Sequence, residues 1–143
     1  MNPTNKLEDF KVNVKIKLSA LWTSVMFCYI YEDYFELYVP KKVEGIISGE
    51  SLLNTPQKLF GASWVLIIPA LMIFLSILLK PKLSRLFNII LGTCYTALML
   101  WIALNYSDKW LTFAVLFAIV ESLITAIIVW YAWKWPRQNQ LNL

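Results

Sequence analysis

The strongest constraint on this chain is a set of long runs without a formal charge. Leu59 to Leu79 carries none over 21 residues, and Leu86 to Ser107 none over 22. Trp110 to Trp133 is broken once, at Glu121. Leu18 to Tyr31 is clean for 14 residues before it meets Glu32, Asp33 and Glu36. A helix that crosses the hydrocarbon core of a bilayer needs about 20 predominantly apolar residues. The backbone finds no water there, so a spanning segment must satisfy its own hydrogen bonds, as a helix does. The expectation is an all-α integral membrane protein, a four-helix bundle in up-down-up-down order. Its spans fall at about 18–39, 57–79, 84–106 and 110–134 within a membrane domain of residues 18–136. A polar segment, 1–17, precedes that domain, and a short tail, 137–143, follows it.

Composition agrees. Hydrophobic residues make up 59% of the 143 and charged residues 15%, against about a quarter charged in an average soluble protein. The net charge of +4 does not point to nucleic acid, because the basic residues flank apolar runs, where topology and anionic headgroups account for them. The expected partner is the lipid bilayer. Cys28 and Cys94 both fall inside spans without a C-x-x-C arrangement and read as small hydrophobes.

Proline punctuates the chain. Pro40 closes the first span, Pro56 opens the second behind Thr55 as N-cap, Pro81 follows its end and Pro136 ends the fourth. Pro69 is the one inside a span. It predicts a kink and a backbone carbonyl, that of Val65, with no helical donor. Between Pro40 and Thr55, Val43, Ile46, Ile47, Leu52 and Leu53 suit a short helix lying on the membrane surface. Lys80 to Arg85 and Ser107-Asp108-Lys109 are tight, which makes successive spans antiparallel neighbours. At the start, Val12, Val14 and Ile16 alternate with Asn13 and Lys15, a pattern of extended chain. The start also resembles the n-region of a signal peptide. No small-residue cleavage site follows, so the first span is expected to be retained.

Counting Lys and Arg sets the orientation. One side holds nine (Lys6, Lys11, Lys15, Lys17, Lys80, Lys82, Arg85, Lys134, Arg137) and the other four (Lys41, Lys42, Lys58, Lys109). The positive-inside rule places both termini in the cytoplasm.

The candidate site residues are Glu121, Glu32, Asp33, Glu36, Tyr29 and Tyr31. Ionisable groups at membrane depth are costly and are functional candidates by default. The spans hold no Lys, Arg or His to pair with them. Glu121 lies eleven residues into the fourth span, roughly 16 Å down and near the midplane. Glu32 and Glu36 share a helical face that continues through Tyr29, Cys28, Val25, Trp22 and Leu21, while Asp33 points about 100° away. Three states are open to Glu121: a protonated carboxyl, one that accepts from hydroxyls at a similar depth such as those of Thr96, Tyr95 or Tyr29, or one that holds a cation or an amine-bearing ligand. Glu36 either snorkels toward water or meets Lys41 or Lys42. Gly92, Thr96 and Ala97 form a small-residue patch for close helix packing. Without histidine, imidazole metal sites and Ser-His-Asp catalysis are excluded. No glycine-rich phosphate loop or zinc-ligand spacing appears, so neither cofactor nor metal is expected.

The segments Leu21-Trp22-Thr23-Ser24-Val25-Met26-Phe27, Tyr31-Glu32-Asp33-Tyr34-Phe35-Glu36-Leu37-Tyr38-Val39-Pro40 and Trp130-Tyr131-Ala132-Trp133-Lys134-Trp135-Pro136 resemble a family of small four-span bacterial membrane proteins of unassigned function. The resemblance runs from Lys17 to Pro136. It implies the fold and a bacterial inner membrane, and no activity. Three readings stay open: transport or ligand binding through the intramembrane carboxylates, in which case four helices call for a homo-oligomer; a structural or regulatory partner of a larger membrane complex; and an intramembrane enzyme acting on a lipid or quinone.

Overall fold

The structure, a computed structural model, describes residues 10–106 and 108–136. Lys6, Glu8 and Asp9 of the leading segment, Ser107, and the tail from Arg137 lie outside the described residues. The described chain is helical: α1 (Val14–Glu36), α2 (Lys42–Ser48), α3 (Pro56–Leu78), α4 (Pro81–Asn105) and α5 (Thr112–Trp133), with a 3₁₀ turn at Lys109–Leu111. α3, α4 and the segment Lys109–Trp133 are each long and apolar enough to cross a membrane. α1 is as long as α3 at 23 residues, but it carries Lys15 and Lys17 at one end and three acids at the other.

Local chemistry explains the helix starts. Asn13 caps α1 by accepting from the Lys15 amide at 2.9 Å, and Thr55 caps α3 by accepting from Lys58 at 3.3 Å. Such side chains satisfy amide donors that have no partner in the first turn. The alternation at Val12 to Ile16 is therefore not extended beyond Asn13, because the cap starts a helix there. Pro81 also differs from expectation. It opens α4 rather than only closing α3, since proline fits the first helical turn, where its missing N–H is no loss. Only Leu79 and Lys80 separate the two helices. The surface helix appears as α2, covering Val43, Ile46 and Ile47 but not Leu52 or Leu53. It ends at Gly49, whose φ of 77° is a conformation that costs glycine little.

The long helices alternate in direction. Lys15 at the start of α1 donates to the carbonyls of Ile77 and Leu79 at 2.8 and 2.6 Å, at the end of α3. Arg85 near the start of α4 donates to those of Ala132 and Trp133 at 3.1 and 3.4 Å, at the end of α5. Each cation thus caps a neighbour's C-terminus, where unsatisfied carbonyls concentrate negative potential. At the other end, Phe35 of α1 packs against Phe113 and Phe117 of α5. One face of α1, at Leu18, Trp22, Val25 and Tyr29, is buried among Met72 of α3, Tyr95 and Met99 of α4, and Ile128 and Ala132 of α5. The i, i+3 and i+4 spacing of those four residues is what puts them on one stripe.

Two polar devices lock this core. Asn88 accepts from Trp22 Nε1 at 2.8 Å and from Ser76 Oγ at 3.3 Å, and it donates to the Ser84 carbonyl at 2.8 Å. It therefore ties α1, α3 and α4 together inside the apolar layer. α4 also comes close to α5 at Gly92, where an added Cβ would fall 2.8 Å from Val129 Cγ2. Thr96 donates across the same seam to Thr125 Oγ1 at 2.8 Å.

The Val65 carbonyl freed by Pro69 has found a partner: Tyr95 Oη donates to it at 2.7 Å. Tyr95→Phe should then cost about 1 kcal/mol, the usual net worth of a hydrogen bond, since this one is only part-buried. Pro69→Ala restores a backbone N–H at position 69 for the same carbonyl. In that background Tyr95→Phe should cost distinctly less, and a double-mutant cycle of unfolding in detergent reads the coupling. Equal costs in the two backgrounds would mean that the bond does not repair the kink.

Candidate functional site

α3 packs differently on the two sides of Pro69. Its buried residues are Pro69, Met72 and Ser76, and none lies before the proline. The first half of the helix is less covered, with Phe60 and Trp64 exposed. Beside that half a crevice of about 180 Å³ opens. Tyr29, Glu32, Asp33 and Glu36 of α1 line one wall. Val65 and Leu66 of α3, Met99 and Ile102 of α4, Tyr106 just beyond it and Ala114 of α5 line the rest. All four long helices contribute, so the crevice collects Asp33 as well as Glu32 and Glu36, although α1 points them in two directions.

The acids are unequally satisfied. Glu36 accepts from Lys42 Nζ at 2.6 Å, as the sequence suggested, and it is the one acid in an ion pair among the described residues. Glu32 is half-buried and Asp33 exposed. Tyr31 leaves the group altogether. It is 54% exposed, on the outer side of α1, because two residues beyond Tyr29 the helix has turned about 200°.

Glu121 lies below the crevice, fully buried at 0% exposure. The α1–α5 contacts of Phe35 with Phe117 and of Lys17 with Tyr131 bracket it and set it level with Cys28 and Tyr29. Ala118 and Ala114 are buried one and two turns nearer the mouth on the same α5 face. Among the described residues, neither carboxylate oxygen of Glu121 has a hydrogen-bond partner, and nor does the hydroxyl of the buried Tyr29.

Two of the three hydroxyls, those of Tyr95 and Thr96, are engaged elsewhere, and the third, that of Tyr29, is not bonded to Glu121. Tyr95 serves the Val65 carbonyl, and Thr96 is bonded to the Gly92 carbonyl and to Thr125. This is a correction to the sequence reading, and its cause is the Pro69 kink, whose free carbonyl competes for Tyr95. Buried polar groups nearly always find partners, so three orphaned atoms at one level are a distinctive feature. The buried polar group that the sequence reading missed is Asn88. Its signal was an amide inside an apolar run, spaced four residues from Ser84 and facing the indole of Trp22.

The sequence from residue 5 to residue 142 matches the model of a family described as "Family of unknown function (DUF6326)". The chain belongs to that family. No curated protein and no solved structure matches it. The family covers the acidic end of α1, the kinked α3 and Glu121 together, so the crevice and the buried carboxyl fall within one family unit.

Proposed function

We propose that this is a four-span membrane protein that takes a small cation, or a proton, into the acidic crevice and toward Glu121, as a transporter or ligand-binding protein. α1 is the fourth span in this reading. It lies antiparallel between α3 and α5, both apolar enough to cross, and its 23 residues extend about 35 Å at 1.5 Å each. Its acids then sit in the crevice instead of in lipid. The termini face the cytoplasm of a bacterial inner membrane, which is supported by the nine-to-four bias of Lys and Arg. Exposed rings at both ends of the helices, Trp130 and Trp133 at one and Tyr34, Tyr38 and Trp110 at the other, are the anchors such an insertion calls for.

The observation that carries the reading is the Glu121 carboxyl, buried without a partner among the described residues, beneath a crevice with acids along its α1 wall. A buried carboxyl that only joined helices would be hydrogen-bonded to one. Four helices give little room for a complete pathway, so two or more copies would assemble to form it. The test is ion and proton flux in proteoliposomes under an imposed gradient, for the wild type and for Glu121→Gln. Flux in the wild type that disappears in a folded variant is the expected result. A well-folded wild type without flux would sink the transport reading and turn the search to a membrane partner.

A further inference from the structure

The crevice that takes the cation differs from an ion-coordinating cage in its walls. A metal ion needs several oxygens converging on one point. Among the described residues no three His, Cys, Asp or Glu side chains are grouped to hold one. Acids occupy only the α1 wall. The opposite walls are Val65 and Leu66 from α3 and Met99 and Ile102 from α4. Those side chains offer a hydrated ion no replacement for the waters it would lose. They offer a carbon skeleton a dry surface, and its burial is favourable in proportion to apolar area. The space, about 180 Å³, is below the roughly 300–1,000 Å³ of pockets for drug-sized ligands.

Two further groups narrow the chemistry. Tyr29 is part of the crevice lining, and its hydroxyl is buried with no partner among the described residues. A quaternary ammonium has no N–H for it, whereas a protonated amine does. Tyr29 and Tyr106 are both in the lining, and aromatic rings near a cationic nitrogen attract it through their faces.

We propose that the crevice binds a small protonated aliphatic amine, its ammonium held by Glu32 and the Tyr29 hydroxyl and its hydrocarbon part against Val65, Met99 and Ile102. This rests on the cation-binding reading above and names the class of cation. Asp33, at the exposed side of the same wall, draws the amine in. Glu36 contributes little because Lys42 already pairs with it.

The probe is cyclohexylammonium, followed by saturation-transfer NMR on the protein in lipid nanodiscs, with empty nanodiscs correcting for partition into lipid. Saturable binding is expected, with tetramethylammonium binding several-fold more weakly and millimolar Mg²⁺ failing to compete. Glu32→Gln should raise the Kd at least about tenfold, an effect worth about 1.4 kcal/mol. Tyr29→Phe, which removes a hydroxyl without a partner among the described residues, should raise it several-fold without lowering the unfolding midpoint. Glu44→Gln, on exposed α2, should leave it unchanged. No saturable signal above empty nanodiscs overturns the inference, as does displacement by Mg²⁺ or a Kd unmoved by both Glu32→Gln and Tyr29→Phe. Glu121-dependent flux without amine binding overturns the amine alone. Loss of both overturns the cation-binding reading with it.

Discussion

Glu121→Met is expected to make the protein more stable and to stop it working. The wild-type carboxyl is fully buried among apolar side chains, and neither oxygen has a partner. Burying a polar group without a hydrogen bond costs roughly 1–3 kcal/mol on the scale set by protein substitutions. Methionine is unbranched, of similar length and adaptable in its rotamers, so it fills the same space without the penalty. The gain should fall near that same 1–3 kcal/mol, read as a shift in the unfolding midpoint in detergent. The flux assay should show no transport in the same sample. A residue kept at the expense of stability is the mark of a functional site. A Glu121→Met variant less stable than the wild type would show that the carboxyl has a structural partner, and the candidate site would lose its central argument.

Asn88 should behave in the opposite way. Its amide joins Trp22, Ser76 and Ser84, all buried, and Asn88→Leu strands the Trp22 N–H and the Ser76 hydroxyl in an apolar layer. Each stranded group costs about 1–3 kcal/mol in the soluble setting. Pairwise couplings between membrane helices average about 0.6 kcal/mol, so the sum over the partners should be roughly 2–4 kcal/mol. The unfolding midpoint should fall accordingly. Trp22→Phe should recover part of the loss in the Asn88→Leu background, because it removes one stranded donor. Loss of stability from Asn88→Leu below about 0.5 kcal/mol would mean that the cluster is incidental. Together the two substitutions separate a polar group that holds the helices together from one that the helices carry at a cost.

Much of this architecture follows from local chemistry. The charge-free runs determine three membrane-length helices, since nothing else satisfies a backbone in an apolar medium. Thr55 with Pro56 starts α3 where expected, and Pro69 predicts the orphaned Val65 carbonyl before any neighbour is known. The Glu36–Lys42 pair was also legible, because six residues across a turn bring those side chains within reach. These are short-range consequences of residue type and spacing.

Only the tertiary structure decided who answers the carbonyl. Tyr95 could reach either Glu121 or Val65 by depth along its span, and the placement of α4 against α3 sends its hydroxyl to Val65. That choice removes one of the hydroxyls that could have met Glu121. The same packing turns Tyr31 outward, draws Asp33 into the crevice and hides the importance of Asn88 until α1, α3 and α4 meet. Sequence spacing determines which face of a helix a residue occupies. Which group that face meets, and at what height, depends on the offsets between helices, and those are settled by packing across the whole core.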